Sequence, residues 1–299
     1  MNIIITGAGG MLGSALVLNI ARRGGFNIYA LTSNVERTQS VFSDENDIQV
    51  IDNHDASKLI RDVNPDVLVH CAFSRGNDGA FLGSSLDFTG EIFSLVPQEC
   101  ATINISSQSV YSVERHAPAT EVGCGIAPAT SYGVAKYSTE IMLARFCRSR
   151  LKTNLRLASL LDQSFDERFV NKMIRSGREK GFIEISGPNN IFGFLAVSDA
   201  VDGITAMIGA SLQRWESIYN LGPKEKGLSL EMISECIVER LKAKGHPCQL
   251  LKNGLGECTK SSALDSILFQ TDFGWHSSLD FGEIIDSIID FQDASSLDE

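Results

Sequence analysis

The chain has 299 residues, of which 43% are hydrophobic and 21% charged, and its 26 Lys and Arg against 37 Asp and Glu give a formal net charge of −11. This is enough chain for one large α/β domain, or a domain with a modest added lobe, and a core of that size needs neither disulfides nor metal ions. The charge balance argues against a nucleic-acid binder, which needs a basic stripe. It does not argue against an anionic substrate, which local arginines or a helix N-terminus can hold.

The elements are taken in chain order. Residues 2–6 (NIIIT) read as a buried strand that leaves no room for a signal peptide ahead of it. A helix is predicted over 11–23, with Leu12, Leu16 and Ile20 at helical spacing. Strands follow at 27–31, 48–51, 66–70 (DVLVH) and 102–106 (TINIS), then an amphipathic helix at 131–148 and a strand at 153–157. Short, fully apolar runs separated by helices predict an α/β fold with a doubly wound parallel sheet covered on both faces. After about residue 160 the pattern changes. Helices are expected near 165–178, 198–210, 229–242 and 279–291, with short strands near 182–186 and 217–221.

The division expected is a dinucleotide-binding domain at 1–160 and a smaller mixed α/β C-terminal substrate lobe at 161–292, some segments of which return to the first domain. A frayed tail is expected at 293–299 (DASSLDE). No apolar run reaches the roughly 18 residues of a membrane span. The seven cysteines (Cys71, Cys100, Cys124, Cys147, Cys236, Cys248 and Cys258) are odd in number and show no C-x-x-C spacing. They read as reduced thiols of a cytoplasmic protein, and no metal site is expected; His116, His246 and His276 have no ligand spacing either.

Residues 6–13 read TGAGGMLG, placing Gly7, Gly10 and Gly13 between a strand and a helix. Gly7 permits a tight turn, Gly10 lets a pyrophosphate approach the backbone, and Gly13 lets the helix pack close to the sheet. The amides of Met11 and Leu12, at the start of the helix, face the phosphate with the positive end of its dipole. This is a Rossmann-type cofactor loop. The second strand ends in ALTSN without an acid, and Arg37 follows. Hydroxyls and an arginine without a carboxylate suit a 2′-phosphate, so Ser33 and Arg37 favour NADP over NAD. Asp52 and Asn53 end the third strand, where an adenine can be read, although Asp52 serves equally well as a helix cap.

Tyr132 and Lys136 stand four apart in SYGVAKYS, on one face of the predicted helix. An ammonium beside a phenol favours the phenolate, and such a phenol exchanges a proton with a carbonyl or alcohol while hydride moves. Lys136 also suits a nicotinamide ribose. Ser107, at the end of the fifth strand, faces the same crevice and can hold the reacting oxygen. His70, Cys71 and Phe73 read as pocket wall, Phe73 on the substrate side. Arg168, Lys172 and Arg175 share a helical face suited to a substrate phosphate, or simply to solvent.

TGAGGMLG at 6–13, DVLVHCA at 66–72, INISSQSVYS at 103–112 and SYGVAKYS at 131–138 together resemble the extended short-chain dehydrogenase/reductases, in the NAD-dependent epimerase/dehydratase family of nucleotide-sugar enzymes. FLAVSDAVDGI at 194–204, YNLG at 219–222 and the FGWHSSLDFGEII segment at 273–285 extend the likeness over nearly the whole chain. The resemblance implies an NAD(P)-dependent enzyme with Ser107, Tyr132 and Lys136 as catalytic trio and Ala72 on the cofactor wall. It also implies hydride transfer at a sugar carbon, C4 first, and a possible homodimer through helices near 78–95 and 131–149. Ser159 stands where an Asn of the family meets the nucleotide diphosphate, and Asp87 where an Asn is common. The helix before the fifth strand reads as short and irregular. Gln108 and Ser109 stand where dehydratases carry Asp-Glu, which favours a 4-ketoreductase over an eliminating enzyme. A 4-epimerase with retained NAD, a reductase of non-sugar carbonyls and a non-catalytic dinucleotide sensor are the alternatives.

Overall fold

The computed structural model describes residues 1–45, 47–74, 78–164, 168–210, 214–257 and 260–295. Cys258, residues 165–167 at the start of the helix expected near 165–178, and the last four residues of the expected tail lie outside them.

In chain order the first half runs β1 (Asn2–Thr6), α1 (Met11–Arg23), β2 (Asn27–Thr32), α2 (Val35–Val41), β3 (Ile48–Asp52), α3 (Ala56–Val63), β4 (Val67–His70), α4 (Gly79–Leu95), β5 (Ala101–Ser107), α5 (Ser131–Phe146) and β6 (Lys152–Leu157). The second half continues with β7 (Ser159–Leu161), α6 (Phe169–Lys180), β8 (Phe182–Gly187), β9 (Ile191–Phe192), β10 (Phe194–Ala196), α7 (Val197–Gly209) and β11 (Ile218–Leu221). It closes with β12 (Leu228–Ser229), α8 (Leu230–Ala243), β13 (Gln249–Leu255), α9 (Ile267–Phe273) and α10 (Phe281–Ser295).

Seven strands form one parallel sheet in the order β3-β2-β1-β4-β5-β6-β11. The residues of β1 explain why the sheet is covered on both faces. Ile3 and Ile5 point into one core with Leu12, Leu16 and Ile20 of α1 and Ile204 and Met207 of α7. Ile4 points into the other, with Leu59 and Ile60 of α3, Ile92 and Phe93 of α4 and Leu143 of α5. The two-residue period of a strand makes this split, and a run without polar interruptions is what it requires. β4 repeats the pattern, Val67 and Val69 on one side and Leu68 on the other.

The strand order reverses between β1 and β4, whose ends lie side by side with Thr6 opposite His70. In an open α/β sheet this switch point, at the carboxyl ends of the strands, is where a crevice opens. A separate core lies beneath the later helices, built from Val170 and Ile174 of α6, Ile233 and Ile237 of α8 and Ile285 and Ile289 of α10. β11 leaves that region and pairs with β6, Tyr219 opposite Leu155.

Four features depart from the sequence pattern. The helix before β5 is neither short nor irregular: α4 runs unbroken for 17 residues, with the Asp78 carboxylate accepting from the amides of Ala80 and Phe81 at its start. Gly79, Gly83 and Gly90 weaken its helical signal, but burial of Leu82, Thr89, Ile92 and Phe93 holds the helix. β13 is a strand without a clear apolar run, because it pairs parallel with β8 and leaves most of its side chains in solvent. α6 starts at Phe169, with Arg168 in the capping position. α10 extends to Ser295, so Asp293, at the start of the expected tail, is helical and pairs with Arg178 at 2.6 Å. Among the described residues no helix is long and apolar enough to cross a membrane.

Candidate active site

At the β1 end, the glycine loop is shaped by clearances that no side chain can share. Gly7 has φ 68°, and a Cβ there would meet the Ala72 amide nitrogen at 2.7 Å. A Cβ on Gly13 would run into the Gly7 carbonyl oxygen. Gly10 starts α1 in extended conformation with no side-chain cap, and the first turn carries no acid. The amides of that turn and the helix dipole are therefore presented to an anion. The loop opens onto a cavity of about 520 Å³ whose walls include Gly10, Ser33, Arg37, Asn53, Ala72 and Phe73.

A nicotinamide dinucleotide fits these residues. Gly7, Gly9 and Gly10 line the cavity without side chains, and the buried Asn53 Oδ1 has no hydrogen-bond partner among the described residues. Gly7, Gly10 and Gly13 would hold the pyrophosphate, Asn53 would meet the adenine, and Ser33 and Arg37, in the same cavity, would face the adenosine ribose. Asp52 takes the other of its two expected roles. Its carboxylate accepts from the His54 amide at 2.8 Å and caps the short turn Asn53–Asp55. Met11 packs half-buried against the core, and Leu12 reaches the neighbouring catalytic cavity.

A chain of hydrogen bonds fixes the wall between the two cavities. The Ala72 amide donates to Thr6 Oγ1 at 3.1 Å, and Thr6 Oγ1 meets His70 Nδ1 at 2.9 Å. His70 Nε2 meets Thr89 Oγ1 at 2.9 Å, and the Thr89 hydroxyl donates to the Ser85 carbonyl at 2.7 Å. Because Thr89 spends its proton on Ser85, it must accept from His70. The imidazole therefore carries its proton on Nε2, and Thr6 donates to Nδ1. Burial first, and Lys136 second, pull the His70 pKa down to about 3, so the ring is neutral. Burial likewise pushes the Cys71 thiol up to about 12, which makes it an inert wall.

The second cavity, of about 330 Å³, lies at the ends of β5 and β6 and is lined by Ser107, Gln108, Tyr132, Lys136, Ser159 and Arg168, among others. Tyr132 sits in the first turn of α5, whose start is fixed by Thr130 Oγ1 accepting from the Gly133 amide at 3.0 Å. Lys136, one turn on and buried, donates to the Ile105 carbonyl at 2.8 Å and lies 4.3 Å from the Phe73 ring centroid. Phe73 in turn meets the Tyr132 ring edge-on at 6.0 Å. Ser107 accepts from the Ser109 amide at 3.1 Å and donates to the Ser109 hydroxyl at 3.2 Å. That bond to a flexible hydroxyl is easily exchanged for one to a substrate oxygen. The structure thus brings the trio together with Phe73, Ser159 and Arg168. Arg175 is half-buried further along α6 and does not line this cavity.

Beneath Ser107 is a polar framework that the sequence reading did not identify. Glu140 takes a bidentate pair of bonds from Arg156, at 2.9 and 2.6 Å, and accepts from Ser106 at 2.5 Å. Both charged side chains are at most 5% exposed. The Arg156 guanidinium lies 4.6 Å from the Tyr111 ring centroid, and Tyr111 donates to Asn220 of β11 at 2.8 Å. Glu140 stands four residues after Lys136, and Arg156 lies between the buried Leu155 and Leu157 of β6; a charge between two leucines was the available signal.

The profile of the NAD dependent epimerase/dehydratase family matches residues 3–222. No curated protein matches the chain in sequence. Among solved structures, a UDP-glucuronic acid 4-epimerase from Bacillus cereus in complex with UDP-glucuronic acid and NAD is 19% identical, covering 99% of this chain and 100% of that one with a TM-score of 0.81. A dTDP-glucose 4,6-dehydratase from Bacillus anthracis in complex with NAD is 17% identical, covering 99% and 98% with a TM-score of 0.81. A UDP-glucose 4-epimerase from Thermotoga maritima with UDP-glucose is 17% identical, covering 99% and 100% with a TM-score of 0.78. The fold is shared end to end with these structures, and by its sequence over most of its length the chain belongs to the NAD dependent epimerase/dehydratase family.

Proposed function

We propose that the chain reduces a keto group at a ring carbon, C4 first, of a nucleotide sugar. The observation that carries this reading is that Ser107, Tyr132 and Lys136 line one cavity in which no described lining residue is a carboxylate. Gln108 and Ser109 follow Ser107, and neither can take or give the proton of an elimination. Reduction asks less of the chain. The Ser107 hydroxyl holds the carbonyl oxygen, and the Tyr132 phenol donates the proton as that oxygen becomes an alcohol. Lys136 supports the phenol from the same helix face and would contact the nicotinamide ribose. A nicotinamide bound on the glycine loop supplies the hydride.

Ser33 and Arg37 in the cofactor cavity, whose described lining includes no acid, support NADP as the preferred form. The nucleotide sugars bound by the structures of similar fold support that substrate class. A second reading, 4-epimerisation with retained NAD, uses the same trio and is favoured by the two epimerases among those structures. Half-exposed Val134, Ile141 and Phe146 on α5 and exposed Phe81 on α4 support a homodimer through these helices.

Incubating the protein with a 4-keto nucleotide sugar and NADPH or NADH, and following absorbance at 340 nm, separates the readings. Net oxidation of the cofactor is the expected result. A substrate interconverted without net oxidation establishes epimerisation instead, and neither outcome with any UDP- or dTDP-sugar overturns the nucleotide-sugar assignment.

A further inference from the structure

A third cavity, of about 370 Å³, adjoins the catalytic one through shared Gln108, Ser109 and Thr130, and is closed on its far side by Arg115, Asn190 and Lys260. Arg115 comes from the loop between β5 and α5. Three of its five N–H groups are spent on neutral acceptors. Nε donates to the Ser112 carbonyl at 3.1 Å, Nη1 to the Ala263 carbonyl at 2.5 Å and Nη2 to Gln108 Oε1 at 3.1 Å. None of the salt bridges among the described residues reaches Arg115. The nearby Glu114 pairs outward with Lys260 at 2.7 Å. The guanidinium is thus held by three bonds, half-buried, with its charge uncompensated by a carboxylate and two N–H groups left over. Burial pulls its pKa below the ordinary arginine value, as it does for a cation short of counter-charge.

The bond to Gln108 has a second effect. With Oε1 engaged by Arg115, the Gln108 amide offers its NH2 donors instead, beside the residue that holds the reacting oxygen. The pocket therefore combines a preorganised cation, amide donors and the Ser109 and Thr130 hydroxyls. We infer that this pocket is an oxyanion subsite in which Arg115 receives a carboxylate or phosphoryl group of the substrate. Gln108, oriented by Arg115, then carries recognition of that group into the catalytic cavity. The inference rests on the nucleotide-sugar reading for the identity of the substrate, but not for the chemistry of the pocket.

The test is equilibrium binding to the cofactor-loaded protein, by titration calorimetry and thermal shift, with sodium pyrophosphate, UDP, UDP-glucose and UDP-glucuronate. It compares the wild type with Arg115→Met and with Asn190→Asp, which adds a negative charge in the same pocket while keeping the side chain's size. Both variants should weaken an oxyanion ligand about tenfold or more, the loss of a charge-assisted hydrogen bond. Equal losses for pyrophosphate and all three UDP ligands identify the bound group as phosphoryl. A loss confined to UDP-glucuronate identifies it as a sugar carboxylate. Binding unchanged in Arg115→Met overturns the inference, and so does binding unchanged in Asn190→Asp. So does a wild type stabilised by none of the four probes. If pyrophosphate binds in an Arg115-dependent way and no UDP ligand binds better, the subsite stands and the nucleotide-sugar reading falls.

Discussion

At the β1–α1 end of the crevice the ligand-facing groups are amides, a helix terminus and gaps left by glycines. At the β5–α5 end they are side chains, set on a buried ion pair and an aromatic ring. The first kind of site is sensitive to volume: one methyl group on Gly7 runs into the Ala72 backbone, and one on Gly13 into the Gly7 carbonyl, so either distorts the loop. The second kind is sensitive to chemistry and to its support. Tyr132 and Ser107 can be replaced at little steric cost, but their placement depends on Glu140 and Arg156 beneath them. Backbone binds what is common to a class of cofactors, while side chains select one reaction.

The largest effect that would sharpen this contrast is chemical. Tyr132→Phe removes the phenolic proton donor and keeps the ring, so kcat should fall about 10²- to 10⁴-fold while cofactor affinity, measured by fluorescence titration, is unchanged. Unchanged turnover would remove Tyr132 from the mechanism. Glu140→Gln should come next. It leaves the Arg156 guanidinium buried without its counter-ion, at a cost of about 3–5 kcal/mol in urea unfolding. A loss under about 1 kcal/mol would mean the framework is not what supports this end.

Gly7→Ala tests the backbone end. The positive φ alone costs about 1–2 kcal/mol, and the clash with Ala72 adds to it, so dinucleotide affinity should fall about tenfold or more. The residual kcat at saturating cofactor should stay near wild type, which is the opposite split from Tyr132→Phe. Arg37→Ala is expected to be smaller still: a loss of about tenfold for NADPH and little for NADH. An equal effect on both would remove Arg37 from cofactor selection.

The last effect is one of pH and concerns the wall between the two ends. His70 has a pKa of about 3 when folded against 6.5 when unfolded. Between those values the unfolded chain takes up a proton that the folded chain refuses. Its contribution is fully present above the unfolded value and is lost as pH falls, at up to about 1.4 kcal/mol per pH unit. His70→Gln, which retains a donor toward Thr89, should flatten the stability profile below about pH 6.5. An unchanged slope would show that other groups set it.

Much of this arrangement was legible in the residues. NIIIT and DVLVH read as strands because both faces of the sheet are buried, so no polar interruption confuses the period. TGAGGMLG and SYGVAKYS each act locally, one through backbone geometry and one through helical spacing, and local rules read well from sequence. What was not legible depends on distance along the chain. Glu140 and Arg156 lie 16 residues apart, and the pairing that makes each tolerable inside a core appears only when α5 folds onto β6. Gln108 looked like a missing acid; only the Arg115 contact shows which way its amide faces. α4 was obscured by its glycines, and β13 by its solvent-facing polar side chains, since tertiary packing outweighs local propensity in both.

The return of β11 to the edge of the main sheet has a consequence for how the chain is made. β6 ends at Leu157, yet its partner strand begins only at Ile218. During synthesis, β6 leaves the ribosome with an open edge and waits through α6, β8 and α7 before that edge is closed. An unpaired strand edge is the form most prone to joining another chain. A shortened chain stopped near residue 160 would keep that exposed edge permanently, and is expected to aggregate rather than yield a free-standing cofactor domain.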